Sequence, residues 1–337
     1  MSKAWSSSEV EVRGETVLVT GAGGFIGSHL VERLVADGKA VRAFCRYTSG
    51  TAIGNLRELS PDALAEVDVR FGDLRDGEVM RAAVEGVDVV YHLAALISVA
   101  YSQVAPQEVV QSNVLGTLNV LTAARQAGTP RVVHMSSSEV YGTAQYTPID
   151  EAHPLHAQSP YAASKVGADK LAETFHLSFD LPVVIARPFN TYGPRQSQRA
   201  VIGTIVAQAL TGGPLSIGAT TPTRDFVYVA DTVEALVQLG SSRSHAGETF
   251  NISTGIDISV AAVIDLVGEL VGREFEVRTD ERRLRPERSE VFQLLGNSAK
   301  LRAAYGWEPR TSLRDGIQAV IEWMESRSTV DVEPRAV

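Results

Sequence analysis

Three glycines at a fixed spacing constrain the fold of this chain more than any other feature. They stand in Val17-Leu-Val-Thr-Gly21-Ala-Gly-Gly24-Phe25-Ile26-Gly27-Ser-His-Leu, directly after an apolar β-branched run and at the head of an amphipathic helical pattern. Gly21 permits a tight turn, Gly24 lets backbone N–H groups approach a phosphate, and Gly27 allows helix and strand to pack closely. A helix that begins there presents unpaired N–H groups and the positive end of its dipole, which suits an anion. Strand, glycine turn and helix in succession predict a dinucleotide pyrophosphate site, with Phe25 and Ile26 in the first helical turn beside it.

Short β-branched runs alternate with longer helical patterns through the first half, at 16–20, 40–45, 67–71, 87–93, 131–135 and 182–186. These runs are continuously apolar instead of alternating, as expected when helices cover both faces of a parallel sheet. The pattern predicts an α/β fold with a doubly wound parallel sheet of the Rossmann type. After Arg187 the pattern changes to a Pro-, Gly- and Arg-rich loop at 188–198, then a helical stretch near 202–210 and shorter elements. The expectation is a dinucleotide-binding domain at 13–187 and a smaller, mainly substrate-binding lobe at 188–325. A strand near 249–252 is expected to rejoin the main sheet, so the lobes interleave. Polar, aperiodic tails at 1–12 and 326–337 are expected to be disordered.

With 44% apolar residues in 337, a packed core is available, and the net charge of −9 argues against a nucleic-acid partner. The lone cysteine, Cys45, excludes an intrachain disulfide and fits a reducing compartment, where it reads as a small buried residue. Residues 1–11 lack a signal-peptide stretch, and no apolar run reaches the length of a membrane span. The expected setting is cytoplasmic, without a membrane. The histidines, among them His134, His153 and His176, lack metal-ligand spacing, so no metal is expected.

Two positions bear on the cofactor. The second strand ends in Ala43-Phe-Cys-Arg46, without the carboxylate that commonly binds the ribose of NAD. Arg46 would suit a 2′-phosphate, stack on adenine or stay solvated, which leaves NADP open beside NAD. Asp73, in Phe71-Gly-Asp-Leu-Arg, falls at the carboxyl edge of strand three, where it would accept from the adenine amino group or cap the following helix.

Tyr161-Ala-Ala-Ser-Lys165 places a phenol and an ammonium on one helix face. A phenol with a pKa of roughly 10 is a poor base near neutrality, but adjacent positive charge stabilises the phenolate. Tyr161 would then remove a hydroxyl proton while hydride leaves to a nicotinamide. Strand five runs into Ser136-Ser137-Ser138-Glu139-Val-Tyr-Gly, delivering three hydroxyls and a carboxylate to the edge where open α/β sheets bind ligands.

Together with His92-Leu-Ala-Ala95 and Arg187-Pro-Phe-Asn190-Thr-Tyr-Gly-Pro-Arg195, these segments resemble the extended short-chain dehydrogenases that act on nucleotide sugars, over about residues 14 to 325. Thr147-Pro-Ile-Asp-Glu-Ala-His-Pro, Thr221-Pro-Thr-Arg224-Asp-Phe and Arg283-Leu-Arg285-Pro-Glu-Arg-Ser-Glu look most like the 4,6-dehydratases of the legionaminic acid type, which act on a nucleotide-linked N-acetylglucosamine. The resemblance implies that Ser137 hydrogen-bonds the reacting 4-hydroxyl and that Asn190, Arg224 and Arg285 hold the diphosphate and nucleotide, with Arg195 and Val201 also on the substrate side. It implies that Asp73, Leu74, Leu93, Ala94, Ala95, Asn113 and Pro188 line a tightly held dinucleotide. It further implies a homodimer built on the helix of Tyr161 and the helix that follows Asn113.

Such relatives first oxidise C4, and the ketone makes the C5 proton acidic. A dehydratase then needs a base and an acid near C5 and C6. Glu139 supplies one; Ser138 stands where the better known glucose 4,6-dehydratases carry Asp, and a hydroxyl is a much weaker acid. The first expectation is a 4,6-dehydratase acting on a UDP- or GDP-linked N-acetylglucosamine or glucose. A 4-epimerase, which leaves Glu139 idle, and a UDP-glucuronate decarboxylase, which also carries Ser-Glu here, are the alternatives. From another class comes a non-catalytic dinucleotide sensor, against which the intact Tyr161 and Lys165 speak.

Overall fold

The computed structural model describes residues 15–49 and 52–328. In chain order the first part runs β1 (Thr16–Thr20), α1 (Phe25–Ala36), β2 (Ala40–Arg46), α2 (Pro61–Ala65), β3 (Asp68–Gly72), α3 (Gly77–Val84), β4 (Val89–His92), α4 (Val99–Val104), α5 (Pro106–Val110), α6 (Gly116–Ala127), β5 (Arg131–Met135), α7 (Pro160–Phe179) and β6 (Val183–Pro188). One π turn, Gln111–Leu115, joins α5 to α6. The rest comprises β7 (Asn190–Tyr192), α8 (Val201–Thr211), β8 (Leu215–Ile217), β9 (Thr223–Tyr228), α9 (Val229–Ser241), β10 (Thr249–Ile252), β11 (Asp257–Ser259), α10 (Val260–Val271), β12 (Val277–Thr279), β13 (Gln293–Leu294), α11 (Ala299–Tyr305) and α12 (Leu313–Ser328).

Seven strands form one parallel sheet in the order β10-β6-β5-β4-β1-β2-β3, the doubly wound α/β architecture expected. β4 and β6 are buried along their whole length because helices cover both faces. On one face α1 and α9 close a core around Val17, Val19, Leu30 and Leu236; on the other, Leu18, Met80, Leu121 and Phe175 pack beneath α3, α6 and α7. β3 is the least buried strand of this sheet. As an edge strand it turns Asp68 and Arg70 to solvent, where they pair at 2.7 Å.

Strand order reverses between β1 and β4, and the carboxyl ends of those neighbours open the crevice where such sheets take ligands. After β6 the chain does not form a block of its own. β7, β9, β11 and β13 make a small sheet, and α8, α10 and α12 pack with Phe226 and Tyr192 into a separate apolar core. Between these pieces, α9 packs on α1, tied by Arg33 and Glu234 at 2.6 Å, and β10 pairs in parallel with β6.

The disordered tail expected from 326 is corrected at its first residues: Ser326 to Ser328 are the last turn of α12, where Arg327 pairs with Glu58 and lies over the Trp323 ring at 5.0 Å. Residues 1–12 and 329–337 lie outside the described residues. No helix among the described residues is long and apolar enough to cross a membrane.

Candidate active site

The glycine turn closes on itself. Gly21 sits at φ +72, in the left-handed region that other residues avoid, and a Cβ there would lie 2.9 Å from Ala94 Cα. Gly24 N–H donates to Gly21 O at 2.9 Å, so the amides left to face an anion are those of the first turn of α1, from Phe25 to Gly27. A Cβ on Gly27 would overlap Gly21 O. Gly24 caps α1 without a side-chain hydrogen bond, which keeps the positive end of the helix open. The backbone is thus bare wherever a pyrophosphate has to come close.

The loop after β4 is locked against this turn. Ala94 N–H donates to Thr20 Oγ1 at 3.2 Å and Leu93 N–H to Thr20 O at 3.3 Å. Asn113, expected to line the cofactor site, stands behind the loop: its Oδ1 accepts from Leu96 N at 2.7 Å, and its Nδ2 donates to Leu96 O and Ser164 Oγ. It therefore braces the segment carrying Leu93, Ala94 and Ala95 from behind. Leu74 packs on Gly116, and its carbonyl accepts from Asn119 Nδ2 at 2.8 Å.

Arg46 reaches Glu108 at 3.5 Å, and Glu108 also takes the Tyr101 hydroxyl. Asp73 holds Arg75 through both backbone N–H and guanidinium, the latter at 2.6 Å. The alternative in which Asp73 caps the next helix is corrected by the structure. Asp76 is the cap of α3, accepting from Glu78 and Val79, because α3 starts only at Gly77.

Tyr161, Lys165 and Ser137 converge at the end of β5. Ser159 caps α7 through Ala162 N–H at 3.1 Å and Pro160 takes the first helical position, which puts Tyr161 in the first turn, where the helix dipole favours an anion. Lys165 Nζ donates to Met135 O at 2.6 Å, just before Ser136. Ser137 Oγ accepts from Glu139 N at 3.2 Å and so starts the short turn Ser138–Tyr141, which buries Ser138. Burial pushes the Tyr161 phenol up to about 12, against a hydrogen bond with Ser137, while Glu139 and Asp169 add to the rise. Burial also pushes the Lys165 ammonium down to about 8, against the pull of Asp169. The protein alone keeps the phenol protonated, and added positive charge is needed to release its proton.

On the substrate side, Arg285 meets Glu139 at 3.3 Å and 3.5 Å, and the largely buried Arg224 meets Glu290 at 3.5 Å. Segment 284–291 is strapped to the loop after Glu139: Gln158 Nε2 donates to Glu290 O at 3.0 Å and Ser289 Oγ to Gln158 O at 2.7 Å. Asn190 follows Pro188 by two residues and, among the described residues, its Oδ1 is buried without a hydrogen-bond partner, an acceptor left for a donor of a ligand. Val201 opens α8. Arg195, expected with these groups, is engaged by α1 instead, pairing with Glu32 at 2.7 Å from a backbone at φ +66. A recess of about 410 Å³ bounded by Asp88, Arg131 and Arg243 lies at the opposite, amino edge of the sheet and shares none of these residues.

The sequence reading missed a buried polar layer beneath Tyr161 and Lys165. Asp169 accepts from Ser136 Oγ at 2.9 Å and from Arg187 Nε at 3.1 Å, with His134 at 3.3 Å. The spacing Tyr161, Lys165, Asp169 repeats every four residues and was the available signal. Tyr141 joins the layer through Arg187 at 3.0 Å and Asn251 at 2.7 Å.

A parallel sheet with a glycine turn at its switch point and a Tyr-Lys pair beside a serine define a dinucleotide-dependent enzyme of the short-chain dehydrogenase class. Residues 18–320 match the GDP-mannose 4,6 dehydratase family. The chain is 35% identical over 318 residues to a UDP-glucose 4-epimerase of Mycolicibacterium smegmatis, covering 92% of this chain and 99% of that one. It is 34% identical over 322 residues to a dTDP-glucose 4,6-dehydratase of an Actinoplanes species, with 91% and 97% covered. A solved dTDP-glucose 4,6-dehydratase double mutant from Streptomyces venezuelae, with NAD bound, superposes with a TM-score of 0.86 at 30% identity, over 93% of this chain and 98% of that one. The chain belongs to the nucleotide-sugar epimerase and dehydratase family of extended short-chain dehydrogenases.

Proposed function

We propose that the protein is a nucleotide-sugar 4,6-dehydratase that holds NAD and begins by oxidising the sugar at C4. The observation that carries this reading is the meeting of Tyr161, Ser137 and Lys165 at the carboxyl end of β5, with Glu139 one turn away. NAD suits the bare glycine turn, and it is the cofactor present in the S. venezuelae dehydratase. Glu108 beside Arg46 disfavours a further phosphate there, which supports NAD over NADP. When bound, the nicotinamide supplies a hydride acceptor and a positive charge.

Ser137 orients the 4-hydroxyl, and Tyr161, with Lys165 and the helix dipole stabilising its phenolate, takes the hydroxyl proton at Oη. Glu139 then removes the C5 proton and passes it to the C6 hydroxyl, which leaves as water, a shuttle by one carboxyl that compensates for Ser138; the C5–C6 double bond left behind would take back at C6 the hydride removed from C4 and take a solvent-derived proton at C5, giving the 4-keto-6-deoxy sugar. Arg224 and Arg285 hold the diphosphate, their planar guanidinium forks matching phosphate oxygens, and Asn190, whose free Oδ1 accepts, meets a donor of the nucleotide sugar. An N-acetylglucosamine nucleotide is the preferred substrate on the motif resemblance. The Glu139–Arg285 pair favours a second reading, a 4-epimerase, since it leaves the carboxylate engaged with a guanidinium and without a part in the reaction.

Incubation in D2O with UDP-N-acetylglucosamine, UDP-glucose, GDP-linked sugars, dTDP-glucose and UDP-glucuronate, followed by mass spectrometry and NMR, separates these outcomes. A 4-keto-6-deoxy product that has lost one water and carries deuterium at C5 is expected. Inversion at C4 without deuterium would establish the epimerase, and loss of carbon dioxide the decarboxylase. No conversion of any donor would sink the enzymatic reading.

The same reading includes a homodimer through α7 and the helical stretch 113–126, the π turn running into α6, which leave Leu115, Leu177 and Phe179 exposed in the single chain. A monomer in light scattering at micromolar concentration would overturn that assignment.

A further inference from the structure

We propose that Asp169 is a positioning residue for the Tyr161–Lys165 pair, setting the charge beneath it and fixing the three elements that present the reacting groups. The inference rests on the catalytic reading above.

Asp169 is fully buried, one helical turn beyond Lys165 and two beyond Tyr161 on α7. Its Oδ2 accepts from Ser136 Oγ at 2.9 Å, on the residue next to Ser137, and from Arg187 Nε and Nη2 at 3.1 Å and 3.0 Å. Arg187 lies on β6, three residues before Asn190. One carboxylate therefore joins α7, the end of β5 and the strand leading to the substrate lobe.

Two buried cations, Lys165 and Arg187, face this single carboxylate, so the layer under the phenol keeps a surplus positive charge. The other groups do not alter that balance. His134 on β5 and His92 on β4 are held neutral, their imidazoles pushed down by burial. Tyr141 is pushed up by burial to about 12 and stays protonated. Glu139, on the turn after β5, acts on Tyr161 from the substrate side. Burial would raise the Asp169 carboxyl, but His134, Arg187 and Lys165 outweigh it and keep the group ionised. With two full negative charges the phenolate would be opposed; with none, Lys165 would lose its proton more easily.

The test is a pH titration of Tyr161, read as tyrosinate absorbance of the purified protein with its cofactor minus that of Tyr161→Phe, beside the pH profile of kcat/KM. Asp169 raises both Tyr161 and Lys165, so Asp169→Asn should move the phenol midpoint and both limbs of the profile to lower pH. Arg187 then lacks its carboxylate, so the double variant Asp169→Asn with Arg187→Gln, which removes both charges together, is titrated in parallel. An acid shift in Asp169→Asn that returns toward the wild-type midpoint in the double variant, where the net charge is restored, supports the proposal. A lower rate with the midpoint unmoved in Asp169→Asn, or an equal shift in both variants, would overturn it and leave Asp169 a structural residue. If wild-type protein converts no nucleotide sugar, the functional reading fails, and the absorbance titration still decides the charge effect.

Discussion

Tyr161 stands in the first turn of α7 with its phenol buried, so Tyr161→Phe removes one oxygen without opening a cavity. Turnover should fall about 10²–10⁴-fold, the usual worth of a positioned acid-base group, with the melting temperature unchanged. Calorimetry beside the rate assay checks both. Glu139→Gln should abolish deuterium uptake at C5 while reduced nicotinamide still accumulates, because C4 oxidation does not use that carboxylate. Normal product from this variant would remove Glu139 from the mechanism. Lys165, pushed down by burial to about 8, loses its charge as pH rises through that value. The sign is therefore an alkaline fall in kcat/KM, present below and lost above, which Lys165→Met should abolish along with most of the rate. At this scale the sequence was eloquent where chemistry leaves a spacing, as in Tyr161 and Lys165. It was silent on Asp169, since an aspartate on a helix reads as solvated until the strand beneath supplies Ser136 and Arg187.

Whole elements explain why some expected residues lie elsewhere. Asp73 seemed able to cap a helix, but α3 begins later and Asp76 does so, a boundary of a few residues that periodicity cannot fix. Arg195 has the composition of a phosphate ligand, yet its turn faces α1, where Glu32 takes it. The glycine turn was legible in full because each glycine answers a steric demand. Gly27→Ala would force a methyl onto Gly21 O, so the variant should purify without dinucleotide and lose roughly 1–3 kcal/mol of stability. Mass spectrometry of released cofactor and thermal unfolding check this. The strap at 284–291 delivers Arg285 to the site, and Arg285→Gln removes a charge-assisted contact of about 1.5–3 kcal/mol. KM for the nucleotide sugar should rise roughly tenfold or more while the melting temperature holds.

For the molecule as a whole, the parallel sheet could be read from runs buried on both faces, but the course of the second half could not. Nothing in Thr249–Ile252 states which strand it will join; the partner is chosen by β6, whose far side is otherwise an open edge. A chain cut after residue 187 should therefore expose that edge and the face of α1 that α9 covers, and aggregate on expression. A soluble, folded fragment would contradict this. The return of β10 also has a consequence for how such proteins diversify. Because the backbone leaves the large sheet, comes back to finish it and leaves again, the part of the chain after β6 is not a cassette that recombination can exchange. New preferences on this scaffold have to arrive by point substitution in the loops after β5, β6 and β9, with the sheet inherited intact.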